Sequence, residues 1–153
     1  MEGHPLRLVV FRLEGIEHAV PVEDMVEVVR MVAITPVAES PPWLRGVIDL
    51  RGRVIPVIDL RRRLGMPERE PDLSTPILVV SGREGMAGLV ADEVVEVLAL
   101  GSQAWSPGDE STARPSAVSS AIRHGERLLL VLDTDRIREG AAGLARGNGG
   151  HPR

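Results

Sequence analysis

The chain has 153 residues with a formal net charge of -4, and it is 43% hydrophobic, 26% charged and only 2% aromatic. It contains no cysteine, which excludes disulfides, thiol nucleophiles and zinc–thiolate sites. The negative charge argues against a nucleic-acid binder, and no apolar run approaches the roughly 20 residues that span a bilayer. These features predict a cytoplasmic globular protein without membrane insertion, built as one medium domain or two small ones.

Short apolar runs bounded by glycine, proline or charged residues recur along the chain. Each has the length of a strand and is too short for a typical helix. In chain order these runs are 6–13, 54–60, 76–80, 86–91 and 128–133. The segment 21–26 instead indicates a short helix, because Pro21 stands at its start and acidic residues fill its first turn. The overall pattern predicts an all-β fold of small barrels or a sandwich.

Three segments lack the strand pattern. The segment 67–75 is charged and contains proline, which is typical of a connector. The polar stretch 103–115 indicates an exposed loop, and the glycine-rich stretch 140–153 indicates a flexible C-terminal tail. The folded domain is therefore predicted over residues 1–139.

The two halves of the chain resemble each other. Leu8-Val9-Val10 recurs as Leu78-Val79-Val80, and Val26-Glu27-Val28 recurs as Val95-Glu96-Val97. An offset of 74 then matches Ile48, Arg53, Val57, Asp59 and Arg62 to Ile122, Arg127, Val131, Asp133 and Arg136. Because the matches follow the same order, we infer an ancient duplication that gives two lobes, at about 8–66 and 78–138. Each half alone is a marginal domain, so we expect a shared packed interface; an exchange of strands between the lobes stays open.

Three blocks of sequence carry a resemblance to a known family. The first is Met25-Val26-Glu27-Val28-Val29-Arg30 followed by Ile34-Thr35-Pro36, the second is 46–60, with Asp49-Leu50-Arg51-Gly52 at its centre, and the third is 88–98. Together they resemble the CheW family of bacterial chemotaxis coupling proteins, over about residues 6–138. One departure is Asp49, which stands where the family has asparagine.

The resemblance implies a fold of two five-stranded, SH3-like β-barrels around a common core, with short helices. It implies no catalytic activity, no cofactor and no metal. The implied function is that of an adaptor between the cytoplasmic tip of a chemoreceptor and the regulatory domain of a CheA-type histidine kinase. Such an adaptor is associated with the membrane only through receptor arrays. The rival hypotheses are an adaptor of a non-motility sensory system and a small β-barrel that binds RNA through its arginines.

Ten residues match family positions linked to partner binding. The surface that faces the kinase or receptor comprises Met25, Glu27, Val28, Gly46, Asp49, Arg51 and Gly52. The groove that takes the receptor tip comprises Gly88, Val94 and Val97.

Alternatives stay open for several of these residues. Arg51 suits an exposed turn that binds a partner carboxylate, or an internal salt bridge to Glu27 or Asp49. Val28 is equally explained by burial in the core. Val94 and Val97 share one face if they lie on a helical turn, and face opposite sides if they lie on a strand.

Other conspicuous residues have simpler explanations. Asp59 and Asp133 stand at equivalent places in the repeat, which favours turn capping over paired acid–base chemistry. The run Arg61-Arg62-Arg63 is expected to be a solvated helix face, and Trp43 is expected to pack over the first lobe. Pro56 predicts that its strand is an edge strand or contains a bulge. The four histidines show no metal-ligand spacing.

Overall fold

The computed structural model describes residues 6–101 and 117–139. Within these ranges, the chain forms ten strands, two short α-helices and one 3-10 turn. The strands are β1 (Leu6–Leu13), β2 (Ile16–Pro21), β3 (Met25–Arg30), β4 (Leu44–Leu50), β5 (Arg53–Asp59), β6 (Pro76–Gly82), β7 (Gly85–Val90), β8 (Glu93–Leu100), β9 (Val118–His124) and β10 (Arg127–Leu132). The helices are α1 (Leu60–Arg63) and α2 (Thr134–Ile137), and the 3-10 turn is Val22–Asp24. The predicted tail at 140–153 and the predicted loop at 103–115 lie outside the described residues.

The prediction of a helix at 21–26 is wrong, because only a single 3-10 turn forms there. The chain makes the 3-10 turn Val22–Asp24 and then enters β3 at Met25. Three of the six residues of β3 are valines, whose branched side chains favour an extended backbone. The pairing of β3 with β6 therefore outweighs the weak helix signal of the acidic first turn.

The strands form two five-stranded sheets, which confirms the predicted all-β class. Sheet A has the order β8-β1-β2-β10-β9, and sheet B has the order β3-β6-β7-β5-β4. Each sheet takes strands from both halves of the sequence, because β1 and β2 lie with the C-terminal strands while β6 and β7 lie with β3–β5. The limits 8–66 and 78–138 thus mark halves of the sequence and do not mark the sheets. Closure of each sheet into a barrel stays a prediction.

The core consists of three apolar clusters. One cluster consists of buried residues of sheet A, and a second consists of buried residues of sheet B. The third contains residues of both sheets, among them Phe11 of β1 and Leu78 of β6, and it joins the two lobes. Along β1, Leu8 and Val10 enter the sheet A cluster while Val9, Phe11 and Leu13 enter the shared one. A strand that is buried on both faces explains why 6–13 is so continuously apolar.

The duplication repeats the details of both helix starts. The Asp59 carboxylate accepts from the Arg62 N–H at 3.3 Å, and the Asp133 carboxylate accepts from the Arg136 N–H at 3.1 Å. Both aspartates are N-caps of the helix that follows a buried strand, so the predicted capping role is confirmed.

The expectation of a solvated face at Arg61–Arg63 is wrong. Arg61 is buried in an ion pair, and Arg63 caps the C-terminal end of α2 by donating to the Ile137 carbonyl at 2.9 Å and the Arg136 carbonyl at 2.8 Å. The Arg63 guanidinium also lies 5.1 Å from the ring centre of Trp43, which packs against the shared core. These arginines therefore hold α1 against its neighbours and are not free for an anionic ligand.

Pro56 does not lie on an edge strand. β5 lies between β4 and β7 in sheet B. Its parallel pairing with β7 covers Val57 to Asp59, so the missing N–H of Pro56 falls just before that ladder begins. A proline is tolerated in this central strand for that reason.

Candidate docking surface and inter-sheet groove

The hairpin between β4 and β5 turns through Arg51 and Gly52. Both residues have positive φ angles, 52° and 86°, which is the signature of a two-residue type I′ turn. The Asp49 carboxylate accepts from the Gly52 N–H at 2.8 Å and thereby fixes the turn. The family's asparagine carries the same acceptor oxygen, so the departure at Asp49 preserves this hydrogen bond.

Arg51 forms a two-point ion pair with Glu27 of β3. Its Nη2 lies 2.9 Å from Glu27 Oε1, and its Nη1 contacts the other carboxylate oxygen. These hydrogen bonds hold the pKa of Glu27 below its usual value. The strands β3 and β4 are the two edges of sheet B and would lie about 19 Å apart if the sheet were flat. Because the ion pair joins a residue of β3 to the hairpin that follows β4, the sheet must curl strongly.

A matching ion pair occurs in sheet A. Arg127 Nη2 lies 2.8 Å from Glu96 Oε2, which joins β10 to the edge strand β8. In the repeat, Glu96 corresponds to Glu27 and Arg127 corresponds to Arg53. Both sheets therefore have an arginine that holds an edge-strand glutamate, although the arginine that aligns with Arg127 is Arg53 and the one that holds Glu27 is Arg51. The pair in sheet B differs in that the Arg51 side chain is 73% exposed, against 34% for Arg127.

Two predicted docking residues are buried and serve packing. At Gly46, a Cβ atom would lie 2.1 Å from the Thr35 carbonyl oxygen, and φ is +144°. Thr35 and Val47 exchange two backbone hydrogen bonds of 2.9 Å across this point. At Gly88 in β7, a Cβ atom would lie 2.7 Å from Ile77 Cγ2. Gly46 and Gly88 therefore allow close approach of neighbouring chain segments, and their place in a docking surface or a groove stays a prediction.

A groove runs between β3, an edge strand of sheet B, and β8, an edge strand of sheet A. It has a volume of about 450 Å³. Its lining residues are Val28, Val29, Arg30, Ser74, Pro76, Asp92, Glu93 and Val94. Val28 is 47% exposed, so it lines the groove and is not a core residue, whereas Met25 packs against the shared core.

Val94 and Val97 lie on a strand, so the helical-turn alternative for them is wrong. A β-bulge in β8 nevertheless places them on the same face. Val94 is opposite Phe11 and Val97 is opposite Val9, with a register shift between the two pairs. Since Phe11 and Val9 are two residues apart on β1, both valines share their face. Val97 is the more exposed of the two.

Asp92 is a residue that the sequence argument did not single out. It accepts from Arg61 Nε at 2.9 Å and Nη2 at 2.7 Å, and from the Glu14 N–H at 2.8 Å. Arg61 also contacts the Glu14 carboxylate and donates to the Pro67 carbonyl at 2.8 Å. Burial raises the pKa of Asp92, but the hydrogen bonds from Arg61 and Glu14 outweigh it and the pKa is lowered overall. This cluster, here called the Arg61 clamp, joins α1 to the β1–β2 turn of the other sheet.

Within residues 6–101 and 117–139, no group of three or more His, Asp or Glu side chains could hold a metal ion. In the same part of the chain, no helix is long and apolar enough to cross a membrane.

Two curled sheets on a shared core, joined by ion pairs and carrying an exposed hairpin beside a groove, define a two-lobed β scaffold. Residues 7–141 match the CheW-like domain, and the chain belongs to that family. The protein is thus a coupling adaptor of chemotaxis signalling. Its family links receptors to the kinase CheA and is not catalytic.

Individual relatives agree with this assignment. The chain is 31% identical to the chemotaxis protein CheW of Bacillus subtilis (strain 168) over 133 residues, which covers 86% of this chain and 85% of the relative. It is also similar to the crystal structure of the scaffolding protein TtCheW from Thermoanaerobacter tengcongensis, with a TM-score of 0.79, 31% identity and coverage of 84% and 89%. Protein FrzA of Myxococcus xanthus is 36% identical over 85 residues, or 56% of this chain and 53% of the relative.

Proposed function

We propose that two neighbouring surfaces divide the work of coupling. The hairpin surface, defined as Glu27, Asp49, Arg51 and Gly52, docks the regulatory domain of a CheA-type kinase. The groove surface, defined as Val28, Val94 and Val97, docks the cytoplasmic tip of a chemoreceptor. The observation that carries the proposal is Arg51, which is 73% exposed and yet held at two points by Glu27.

The fixed guanidinium suits recognition of a partner. Arginine has five N–H donors, and the pair with Glu27 occupies two of its terminal nitrogens at one edge. The remaining donors stand on a rigid turn that Asp49 fixes. A partner that binds there orders little flexible side chain, so the entropy lost on docking is small.

The groove suits an apolar helix. Val28, Val94 and Val97 lie on the edge strands of the two sheets, and Val28 and Val97 are exposed. Exposed apolar side chains on an edge strand mark an interaction surface, and an amphipathic helix in a groove is a common way to cover them.

Charge reversal at Arg51 tests this assignment. We expect Arg51→Glu to weaken binding of the kinase regulatory domain without unfolding the chain, because it places two carboxylates side by side on the hairpin surface. Arg123→Glu, at another exposed arginine on β9, makes the same charge change elsewhere and controls for net charge. The measurement is the Kd for the kinase domain, with circular dichroism as the check on folding.

The double variant Glu27→Arg, Arg51→Glu separates two explanations. It restores an ion pair but reverses the charge pattern that a partner contacts. Recovery of kinase affinity in the double variant would show that the pair acts only by shaping the hairpin. Unchanged affinity in Arg51→Glu would contradict the proposed hairpin surface altogether.

The distribution of arginine partners weighs against the RNA-binding alternative. Arg12, Arg45, Arg51, Arg61, Arg62, Arg69, Arg83, Arg127 and Arg136 all form ion pairs with carboxylates of this chain. A protein that binds single-stranded nucleic acid needs a basic groove and aromatic stacking platforms instead. The adaptor of a non-motility system and the association with receptor arrays stay predictions.

A further inference from the structure

The two halves of the chain differ at one pair of equivalent pockets. In the first half, a space of about 20 Å³ lies beside Asp59 and Arg61, which is room for about one water molecule. In the second half, a pocket of about 260 Å³ is lined by Asp133 and Asp135, which match those two residues at the offset of 74. The duplication therefore pairs a nearly filled site with an open one.

The backbone around the two sites is the same, so their side chains can be compared position by position. The Asp59 N–H donates to the Trp43 carbonyl at 2.8 Å, and the Asp133 N–H donates to the Ala117 carbonyl at 2.8 Å. Both aspartates end a strand and cap the short helix that follows it. The two carboxylates therefore start from equivalent positions in the fold.

A bulge beside each aspartate carries a different side chain in each half. The register shifts at Arg45 where β4 pairs with β5, and at the matching Ser119 where β9 pairs with β10. Arg45 Nε donates to the Asp59 carboxylate at 3.1 Å. Ser119 has no charge, and its hydroxyl donates to the Val131 carbonyl at 3.2 Å. The bulge of the second half thus brings no cation to its aspartate.

A second guanidinium of the first half also has no equivalent. Arg61 fills the space beside Asp59 and donates to Asp92 through Nε at 2.9 Å and Nη2 at 2.7 Å. The matching residue Asp135 brings a carboxylate instead. Where the first half has two guanidinium groups, the second half therefore has a hydroxyl and a carboxylate, and the pocket is the space that results.

Asp24 adds a third carboxylate to this pocket. Its Oδ2 accepts from Thr134 Oγ1 at 2.9 Å, which fixes the carboxylate beside the start of α2. Burial raises the pKa of Asp24, and the negative charges of Glu23, Asp135 and Asp133 act in the same direction, against the hydrogen bond from Thr134. The pocket thus concentrates negative charge.

The cations that approach these carboxylates do so from the exposed side. Arg83 Nε lies 3.7 Å from Asp135 Oδ2, and the Arg83 side chain is 89% exposed. Arg136 Nε lies 3.8 Å from Asp133 Oδ2 and is also on an exposed side chain. Both distances are longer than a hydrogen bond, and exposed pairs of this kind are weak. Neither pair is equivalent to the hydrogen-bonded pair of Arg45 with Asp59.

The other wall of the pocket is apolar. Leu6, Leu8 and Leu132 line it, opposite the three carboxylates. A ligand that suits both walls has a cationic head and an aliphatic stem, which is the chemistry of an arginine side chain. The planar guanidinium matches carboxylates at two points, and guanidinium groups are what the first half holds at the equivalent place.

We propose that this pocket, here called the aspartate pocket and defined by Asp24, Asp133 and Asp135, binds an arginine side chain of a protein that the adaptor couples. The guanidinium takes the place that the chain's own arginines fill in the first half, and the aliphatic stem packs against the apolar wall. The inference rests on the coupling function and adds a third contact, outside the hairpin surface and the groove surface.

Binding of n-butylguanidinium to the full chain, followed by NMR chemical shifts of the backbone amides, tests the pocket. This probe has the head group and the aliphatic stem of arginine, and n-butylurea is its neutral counterpart. The aspartate variant Asp133→Asn, Asp135→Asn removes two charges and keeps a hydrogen-bond acceptor at each position. The control variant Glu39→Gln, Glu126→Gln makes the same charge change at two exposed residues that do not line the pocket.

We expect n-butylguanidinium to shift the amides of Asp24 and Thr134 in a saturable way, and n-butylurea to cause no saturable shift. The aspartate variant should weaken binding by at least about tenfold, because charge-assisted hydrogen bonds are lost. The control variant should bind like the wild-type chain. Equal binding in the two variants, equal binding of the two probes, or no saturable binding to any form of the chain overturns the proposal.

Arginines outside the described residues are rival occupants of the pocket. They are Arg114, Arg146 and Arg153. If n-butylguanidinium binds only after all three are changed to alanine, the chain fills the pocket with its own side chain. Docking of a partner there is then overturned.

Displacement of the probe shows whether a coupled protein supplies the arginine. The cytoplasmic tip fragment of a chemoreceptor from the same organism and the regulatory domain of its CheA-type kinase are each added to the chain with bound n-butylguanidinium. We expect one of them to release the probe, and the aspartate variant to lose affinity for that same fragment. If both fragments bind without releasing the probe, the proposal is overturned and the coupling function stands. If neither fragment binds the wild-type chain, both fail together.

Discussion

Removal of the Asp92 carboxylate tests the Arg61 clamp between the two sheets. The Arg61 and Asp92 side chains are only 10% and 14% exposed, so the pair is shielded from water. Asp92→Ala deletes both hydrogen bonds from Arg61 and the acceptor for the Glu14 N–H. The substitution therefore leaves a buried guanidinium short of partners.

The size of the effect follows from what remains around Arg61. Removing one partner of a buried ion pair costs about 3–5 kcal/mol. Arg61 keeps the Glu14 carboxylate and the Pro67 carbonyl, which places the expected loss at the lower end. We expect Asp92→Ala to lower the free energy of unfolding by about 3 kcal/mol, and Tm by about 6–12 °C for a chain of this size.

Urea unfolding followed by circular dichroism measures this loss. Glu93→Ala is the matched control, since Glu93 is the next residue, is 61% exposed and pairs with Arg12 at 3.0 Å. An exposed pair of this kind contributes below about 1 kcal/mol. Equal losses in the two variants would refute the argument that burial makes the Arg61 clamp strong.

The same clamp has a defined pH dependence. The pKa of Asp92 is lowered in the folded chain, so its contribution is complete above the unfolded-state pKa of about 3.9. It is lost as the pH falls through the lower folded-state value, because the folded and unfolded states are then both protonated. The difference in stability between the wild-type chain and Asp92→Ala should therefore narrow in acid.

Two further predictions concern buried residues, one in each sheet. Burial lowers the pKa of His18, and its hydrogen bond to the Ile16 carbonyl partly offsets this effect. Below about pH 6.5 the unfolded state therefore binds a proton at His18 more readily than the folded state, and the free energy of unfolding should fall as the pH drops. His18→Phe should remove that slope between pH 7.5 and 5.5 in urea unfolding, and an unchanged slope would assign it to other groups. Gly46→Ala should destabilise by roughly 2–4 kcal/mol in the same assay because its Cβ meets Thr35, whereas Gly101→Ala, with open space around it, should be close to neutral.

The sequence was sufficient for the class of fold because the duplication is carried by residues that face the core. Val79 of β6 and Val57 of β5 repeat as Val9 and Val131, and all four are buried. The order of these matches could be read directly along the chain. Which sheet each strand joins could not be read in this way, since β1 has the same apolar pattern whether its second neighbour besides β2 is β8 or another strand of its own half.

The candidate site was only partly predictable, for a physical reason. Residue type indicates that Arg51 can bind a carboxylate, but the choice of Glu27 depends on the curl of sheet B. The close packing at Gly46 could not be predicted, because a glycine needed for close approach and a glycine on an open surface look alike in sequence. Arg61 looked solvated for a similar reason, as its partner Asp92 lies 31 residues away.

The position of β3 places residues of both proposed docking surfaces side by side. Glu27 and Val28 are successive residues of this strand, so their side chains point to opposite faces. The first holds Arg51 on the hairpin surface and the second lines the groove. β3 is an edge strand with hydrogen-bonded pairing to β6 alone, and it has a register shift between Met25 and Glu27. The two proposed docking surfaces therefore meet at adjacent residues of one edge strand.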